Sequence, residues 1–226
     1  MSTYMRQVWA IVWKDLLLEL RTRERLTAMG AFAILAAVLF NYSIDTTTTR
    51  PENVAAGLIW MTLVFGGLLG VGRTFQLESE DDALQGILTS PVPKDAIFIA
   101  KTLANFALLY VVSLLVLGVF TLFFSLDLGG ATWGIILVLG LGSFGFVALG
   151  TLFAAISTGT SMGDTLLPIL VFPLLVPMVI FGVGATGRLI AGRPFSEVEG
   201  NVRMLAAMAV AAFAVGAVLF RFVVED

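Results

Sequence analysis

The 226-residue chain is 58% hydrophobic and only 13% charged, and its mean hydropathy is +0.99. A soluble domain carries about 25% charged residues, so this composition excludes a soluble globule and predicts a membrane protein. The net charge of −3 leaves no basic patch for nucleic acid, and the absence of cysteine and histidine excludes disulfides, a thiolate nucleophile and the commonest metal ligands.

The first predicted element is an interfacial amphipathic helix over residues 4–24. Its apolar residues have near-heptad spacing and share one helical face, whereas most of its charges fall on the other. Tryptophan on such a helix is typical of a segment that lies in the headgroup layer of a bilayer. An ordinary soluble amphipathic helix is the alternative. The apolar face is Met5, Trp9, Val12, Trp13, Leu16, Leu17 and Leu20, and the polar face carries Lys14, Asp15, Arg21 and Arg25.

Six apolar runs of transmembrane length follow the N-terminal helix. Because a helix needs about 20 residues to cross a bilayer, each run predicts one span, and the third is long enough that it must tilt or protrude. We therefore expect an all-α membrane protein with a single transmembrane domain over 1–226 and no room for an extramembrane catalytic domain. The predicted spans are about 26–44, 54–74, 97–124, 131–156, 165–184 and 204–223.

The distribution of lysine and arginine predicts that both termini are cytoplasmic. Cytoplasmic segments of membrane proteins carry an excess of these residues, and the N-terminal tail, the loop at 75–96 and the C-terminus together hold most of them. The opposite side receives only Arg50, Arg188, Arg193 and Arg203.

Residues 67–74 have the glycine spacing of a Walker A loop, with Arg73 in place of the lysine. A phosphate-binding loop needs a preceding buried strand and a following helix, but here the glycines end an apolar run. Small residues in such a run favour close packing of helices. We therefore expect that the chain does not hydrolyse ATP itself.

The loop after the second run predicts a short cytoplasmic helix over 79–90. Ser79 can cap its start, acidic residues fill the first turn, and Ser90–Pro93 ends it. Its apolar edge cannot be buried within so small a loop, so we expect it to dock on a partner protein. The alternative is a helix lying on the membrane, which its acidic start disfavours beside anionic lipids. The apolar edge is Leu77, Leu84, Ile87 and Leu88.

The fifth run contains Pro168, Pro173 and Pro177. Proline removes a backbone hydrogen bond from a helix, so three within ten residues predict a kinked or broken span. It would be either a moving element near a translocation path or a static kink that shapes packing.

Polar residues in the spans are few, and they lie mostly near the ends. Lys101 and Asn105 share one face of the third span, close enough to the interface to snorkel. No acidic or histidine relay crosses a span, which argues against a proton-driven transporter. No carboxylate pair or serine–lysine arrangement supports an intramembrane hydrolase, so no catalytic, cofactor-binding or metal-binding residues are predicted.

Three stretches resemble the heme exporter protein B (CcmB) family, the ABC-2-type permeases of cytochrome c maturation. They are Gly57–Trp60, Phe75–Leu84 followed by Pro91–Pro93, and Leu170–Phe181. The cytoplasmic motif of that family, Phe-x-x-Asp-x-x-Asp-Gly-Ser-Leu, is thought to meet the ATPase subunit. Phe75, Asp81 and Leu84 match it, Glu78 replaces an aspartate, and Asp82 and Ala83 replace Gly-Ser. The resemblance covers nearly the whole chain.

The resemblance implies an ABC-2-type exporter fold and a non-catalytic permease subunit in the inner membrane of a bacterium. It implies a homodimer, a CcmA-like subunit that binds ATP and Mg²⁺, a CcmC-like heme handler and a CcmD-like small membrane protein. Heme is the implied substrate, either exported or released on the chaperone CcmE. For ATPase docking the motif implies Phe75, Glu78, Asp81 and Leu84, to which the apolar edge of the predicted helix adds Ile87 and Leu88.

Without histidine or cysteine, the chain lacks the usual strong ligands of heme iron. Any heme contact would therefore involve the porphyrin face or its propionates, for which Arg188 and Arg193 are the candidate partners. Two other functions stay open from the sequence. One is an ABC-2 permease that exports a lipid or drug, and the other is a membrane scaffold of the heme-delivery assembly that transports nothing.

Overall fold

The computed structural model describes residues 3–45, 49–75, 86, 91–157 and 163–224, with side chains of the last range from residue 167 onward. Within these ranges the chain is helical and contains no strand. Six helices are long and apolar enough to cross a membrane, so the prediction of an all-α membrane protein with an N-terminal helix and six spans is confirmed. The helices are α1 Thr3–Thr22, α2 Glu24–Ser43, α3 Pro51–Val71, α4 Lys94–Phe124, α5 Thr132–Ser157, α6 Gly163–Ile190 and α7 Glu199–Val223.

The connections place the helix ends at two levels. We call the end of the bundle that carries both termini the terminal end. Helix α3 and helix α5 finish there, and α4 starts there. The opposite end holds the remaining connections, which include 3₁₀ turns at Gly129–Ala131 and Phe195–Glu197. Proline marks two starts, because Pro51 is the first residue of α3 and Pro93 precedes α4.

Helix α4 is the longest described span, with 31 residues. At 1.5 Å per residue it is about 46 Å long, whereas the hydrocarbon core of a bilayer is about 30 Å thick. Its first turns are covered by α1, which runs parallel to them. The excess length is therefore packed against protein at the terminal end.

Glycines let the spans approach closely. Gly67 of α3 lies against the ring of Phe146, and Gly70 lies against Met29, so neither position has room for a Cβ atom without a shift. Both glycines are inside a helix that ends at Val71. The residues with Walker A spacing are thus packing residues of a span, as expected, and they are preceded by the helical residues of α3.

Helix α6 continues without a break through Pro168, Pro173 and Pro177. Each proline lacks the N–H that would bond one turn earlier, so this stretch has a weakened backbone ladder. A moving role for the stretch stays a prediction.

Candidate coupling site

Helix α1 packs along the first three turns of α4. Ala96, Ala100 and Ala104 recur every fourth residue on α4, and their small side chains admit Val8 and Val12 of α1. At the start of this contact the Tyr4 hydroxyl donates a hydrogen bond of 2.7 Å to Asp95 Oδ2. Burial and this contact with Asp95 raise the pKa of Tyr4 to about 12, so its phenol stays neutral and can donate.

A buried ion pair joins α1 to α4 further along the same contact. Lys101 Nζ lies 3.0 Å from Asp15 Oδ2, and the two side chains are only 4% and 8% exposed. Lys14 lies 3.1 Å from the other oxygen of Asp15. The expectation that Asp15 lies on a solvent-facing polar side of α1 is therefore wrong. Its charge is satisfied by a lysine of another helix, which a helical wheel of α1 alone does not contain.

The face of α1 that meets protein also differs from the predicted apolar face. The buried residues of α1 are Val8, Val12, Asp15 and Glu19. Trp9 and Trp13 are instead more than half exposed, on a helix whose other side packs on α4. Amphipathic rings of this kind suit a position at a membrane interface, so α1 presents its tryptophans outward and uses charges to hold the bundle.

Glu19 fixes the corner between α1 and α2. One carboxylate oxygen accepts a hydrogen bond of 2.8 Å from Arg25 Nε, and the other accepts the backbone N–H of Leu26 at 2.9 Å. The second bond satisfies a donor in the first turn of α2, where the helix dipole favours a negative charge. Arg23, between the two helices, adopts a left-handed conformation with φ 57°.

Asn105 of α4 connects α2, α5 and the residues just after α3 at this end of the bundle. Its carbonyl oxygen accepts a hydrogen bond of 3.0 Å from Arg25 of α2. Its amide donates to Thr74, just after α3, at 2.9 Å, and to Thr151 of α5 at 3.2 Å. We name the set of Asp15, Glu19, Arg25, Thr74, Lys101, Asn105 and Thr151 the basal polar cluster.

The chain leaves the basal polar cluster at Phe75, which is only 2% exposed. The Lys101 ammonium lies 5.4 Å from the centre of the Phe75 ring, a cation–π contact. The ring also stacks on Phe220 of α7, with centroids 6.1 Å apart. The geometry makes Phe75 a buried anchor for the start of the segment that follows it, and its predicted part in ATPase docking stays a prediction.

The remaining residues predicted to dock the ATPase subunit, Glu78, Asp81, Leu84, Ile87 and Leu88, lie outside the described residues. Their roles stay predictions. The structure describes the residues that flank them in the chain. Thr74 and Phe75 precede the segment, and Asp95 at the start of α4 follows it.

At the opposite end, the two arginines considered for anionic groups have different surroundings. Arg188 binds the backbone oxygen of Glu197 at 3.3 Å and the side chain of Asn201 at 3.1 Å. Arg193 lines a groove of about 710 Å³ together with Trp133 and Phe195. It also lies 3.8 Å from Glu197. Only Arg193 of the two faces this groove.

Sequence reasoning found Lys101 and Asn105 but missed Asp15, Glu19 and Arg25 as members of one cluster. A signal was available, because Asp15 and Glu19 are four residues apart on α1, as Lys101 and Asn105 are on α4. Two facing i, i+4 pairs of complementary chemistry predict helix pairing. In the part of the chain that the structure describes, no cluster of acidic residues could hold a metal ion.

Comparison with known proteins gives a consistent result over almost the full length. The family model described as CcmB protein matches residues 6–224. A protein of Paracoccus denitrificans named heme exporter protein B is 30% identical over 93% of this chain and 97% of its own length. Proteins of the same name from Rhodobacter capsulatus and Escherichia coli K12 are each 29% identical, covering 91% and 87% of this chain and 92% and 89% of their own.

Proposed function

The chain belongs to the CcmB family, and on that premise we propose that it is the membrane permease subunit of an ATP-driven complex that exports or releases heme. Its family role lies in heme export and cytochrome c biogenesis, and it is a bacterial membrane protein. It acts as a transport subunit and not as a catalyst. In this proposal ATP and Mg²⁺ bind a separate CcmA-like subunit, whose energy enters this chain through the segment that follows Phe75.

The observation that carries the proposal is the basal polar cluster, which includes Thr74 at the point where that segment begins. A force applied to a loop is transmitted only if the ends of the loop are held. One end begins at Thr74 and Phe75, which Asn105 and Lys101 hold. The other end begins at Asp95, which Tyr4 holds. Docking on the segment would therefore displace α1, α3 and the start of α4 as one body.

The nature of the contacts supports a rigid base. Asp15 and Lys101 are almost fully buried, and a buried pair that loses one member leaves an uncompensated charge that costs about 3–5 kcal/mol. Sliding α1 along α4 by one turn would break this pair and the Tyr4–Asp95 bond together. The cluster therefore resists relative motion of these helices and favours their movement in common.

The proposal includes the assembly that family membership implies. Two copies of this chain pair with CcmA-like subunits, and a CcmC-like heme handler and a CcmD-like small protein complete the complex. Both termini and the segment after Phe75 face the cytoplasm. The groove at Arg193 then opens on the outer side, where its guanidinium is the proposed contact for a heme propionate. Arg188 binds Glu197 and Asn201 and does not line this groove.

Replacement of Leu84 and Leu88 by aspartate tests the docking step. Two charges on the apolar edge of the segment are expected to abolish co-purification of the ATPase subunit while membrane insertion is unchanged. Ala191→Asp, which adds a charge at an exposed position of the opposite end, is the control and should retain the ATPase subunit. Unchanged co-purification of the double variant would remove the docking claim.

Heme flux into vesicles that contain the purified complex separates transport from the two alternatives. Flux that requires ATP supports heme translocation. ATP-dependent release of a heme-loaded chaperone without flux favours the scaffold. Turnover that responds to a lipid or drug and not to heme favours the exporter of another substrate.

A further inference from the structure

Trp60 occupies a slot made by glycines of two other spans. The side chain lies in α3 and is only 2% exposed. A Cβ atom placed on Gly142 of α5 or on Gly182 of α6 would collide with the Trp60 ring. Its indole Nε1 donates a hydrogen bond of 3.0 Å to Thr186 Oγ1 of α6, and this bond is buried. The largest side chain of α3 is thus fitted to α6 both by shape and by a directed bond.

Trp60 is one of several contacts that join α3 and α6 along their length. Near the terminal end, Leu167 lies against Gly72, and Phe172 packs edge to face on Phe65 with centroids 5.7 Å apart. Near the opposite end, Gly187 lies beside Ala56. The two helices are therefore antiparallel neighbours.

The prolines of α6 divide these contacts into two groups. Leu167 and Phe172 precede Pro173, whereas Gly182 and Thr186 follow Pro177. A helix with three missing backbone donors transmits axial force poorly through that stretch. The movement of the half of α6 beyond the prolines is consequently determined by its lateral contacts with neighbouring helices. On the α3 side, the described contact with both shape and hydrogen-bond specificity is Trp60.

We infer that Trp60 is a positioning residue that makes the half of α6 beyond the prolines move with α3. The inference rests on the proposed function, because it assigns the route by which a push on the segment after Phe75 reaches the opposite end of the bundle. Thr186 supplies the acceptor, and Gly142 and Gly182 supply the space. Loss of the link uncouples α6 beyond Pro177 and leaves α3 responsive.

Because the chain contains no cysteine, single cysteines report on each helix without background. Leu69→Cys places a spin label on α3, and Ile180→Cys places one on α6 beyond Pro177, both at exposed positions. The experiment compares the mobility of each label before and after ATP in the complex assembled with its ATP-binding subunit. With the native slot, ATP is expected to change both spectra.

Thr186→Val is the informative variant, because it removes the acceptor of the Trp60 bond and nearly preserves shape. Thr62→Val is its matched control, since the Thr62 hydroxyl is also buried in a span but has no hydrogen-bond partner among the described residues. We expect Thr186→Val to abolish the ATP-dependent change at 180 and retain it at 69, and Thr62→Val to retain both.

A second variant covers the case in which Thr186→Val fails to assemble. Trp60→Phe combined with Gly182→Ala replaces the volume lost from the indole ring with a methyl group and eliminates the N–H donor. The ATP-dependent change in the spectrum of the label at 180 should again be lost, and the change at 69 should be kept. A full change at 180 in an assembled Thr186→Val or double-variant complex would overturn the inference alone. No change at 69 in the native complex would overturn the proposed function and the inference with it.

Discussion

Replacing Arg25 by methionine tests whether the basal polar cluster stabilises the terminal end. Arg25 Nε and Glu19 Oε2 are 2.8 Å apart, and the two side chains are 14% and 3% exposed. Methionine keeps most of the aliphatic volume, so the main loss is the charge partner of Glu19. Removing one member of a buried pair costs about 3–5 kcal/mol. Since Arg25 retains some exposure, we expect the lower end, which raises the unfolding equilibrium constant about a hundredfold.

The chain contains a matched control, an arginine–glutamate pair with a similar separation at its surface. Arg203 and Glu199 are 2.9 Å apart, but their side chains are 81% and 47% exposed. Arg203→Met is therefore expected to cost less than about 1 kcal/mol. Both variants can be unfolded at equilibrium in mixed micelles and followed by circular dichroism. Equal destabilisation of the two variants would refute the claim that burial makes the Glu19–Arg25 pair important.

Three further predictions concern single residues. The pKa of Tyr4 is raised to about 12 from an ordinary value of 10, so its contribution to stability is fully present below pH 10 and is lost as pH rises to 12. Tyr4→Phe should therefore make the unfolding midpoint depend less on pH between 10 and 12. An unchanged dependence on pH would contradict this prediction. Arg23 adopts φ 57°, a conformation that costs a non-glycine residue roughly 1–2 kcal/mol. Arg23→Gly should therefore not lower the unfolding midpoint, whereas Arg23→Val should. A lower midpoint for the glycine variant than for the valine variant would exclude strain at this corner. Arg193→Gln should weaken quenching of tryptophan fluorescence by added heme and Arg188→Gln should not, and equal quenching in both variants would remove Arg193 as a propionate contact.

Hydropathy was sufficient to predict the spans, because runs of about 20 apolar residues have few stable locations outside a bilayer. It was less able to locate their ends. The fifth span was predicted to end at 184, but α6 continues to Ile190. Thr186 and Arg188 lower the local hydropathy, although their side chains are satisfied by Trp60 and Asn201 in other helices. A polar residue near a helix end therefore leads a hydropathy analysis to end the span too early, because its partner in another helix is unknown.

The same limitation explains the misplacement of Asp15. A helical wheel compares residues of one helix, so it assigns a carboxylate to water unless a cation from elsewhere is considered. Lys101 is that cation, and it belongs to the third span. The Trp60 slot is a further case. The sequence drew attention to Gly57–Trp60, but only the packed bundle brings Gly142 and Gly182 against one indole ring. Contacts between residues that are far apart in the sequence depend on the packing of the helices, so they could not be predicted from each segment alone.

The most direct test of the account is the sidedness of the segment that follows Phe75. In a chain without native cysteine, Gly86→Cys reports on this segment and Ala191→Cys reports on the opposite end of the bundle. Spheroplasts are treated with a membrane-impermeant thiol reagent before and after permeabilisation. We predict that residue 191 reacts in intact spheroplasts and that residue 86 reacts only after permeabilisation. Reaction of residue 86 from the outside would show that an intracellular ATPase cannot reach it.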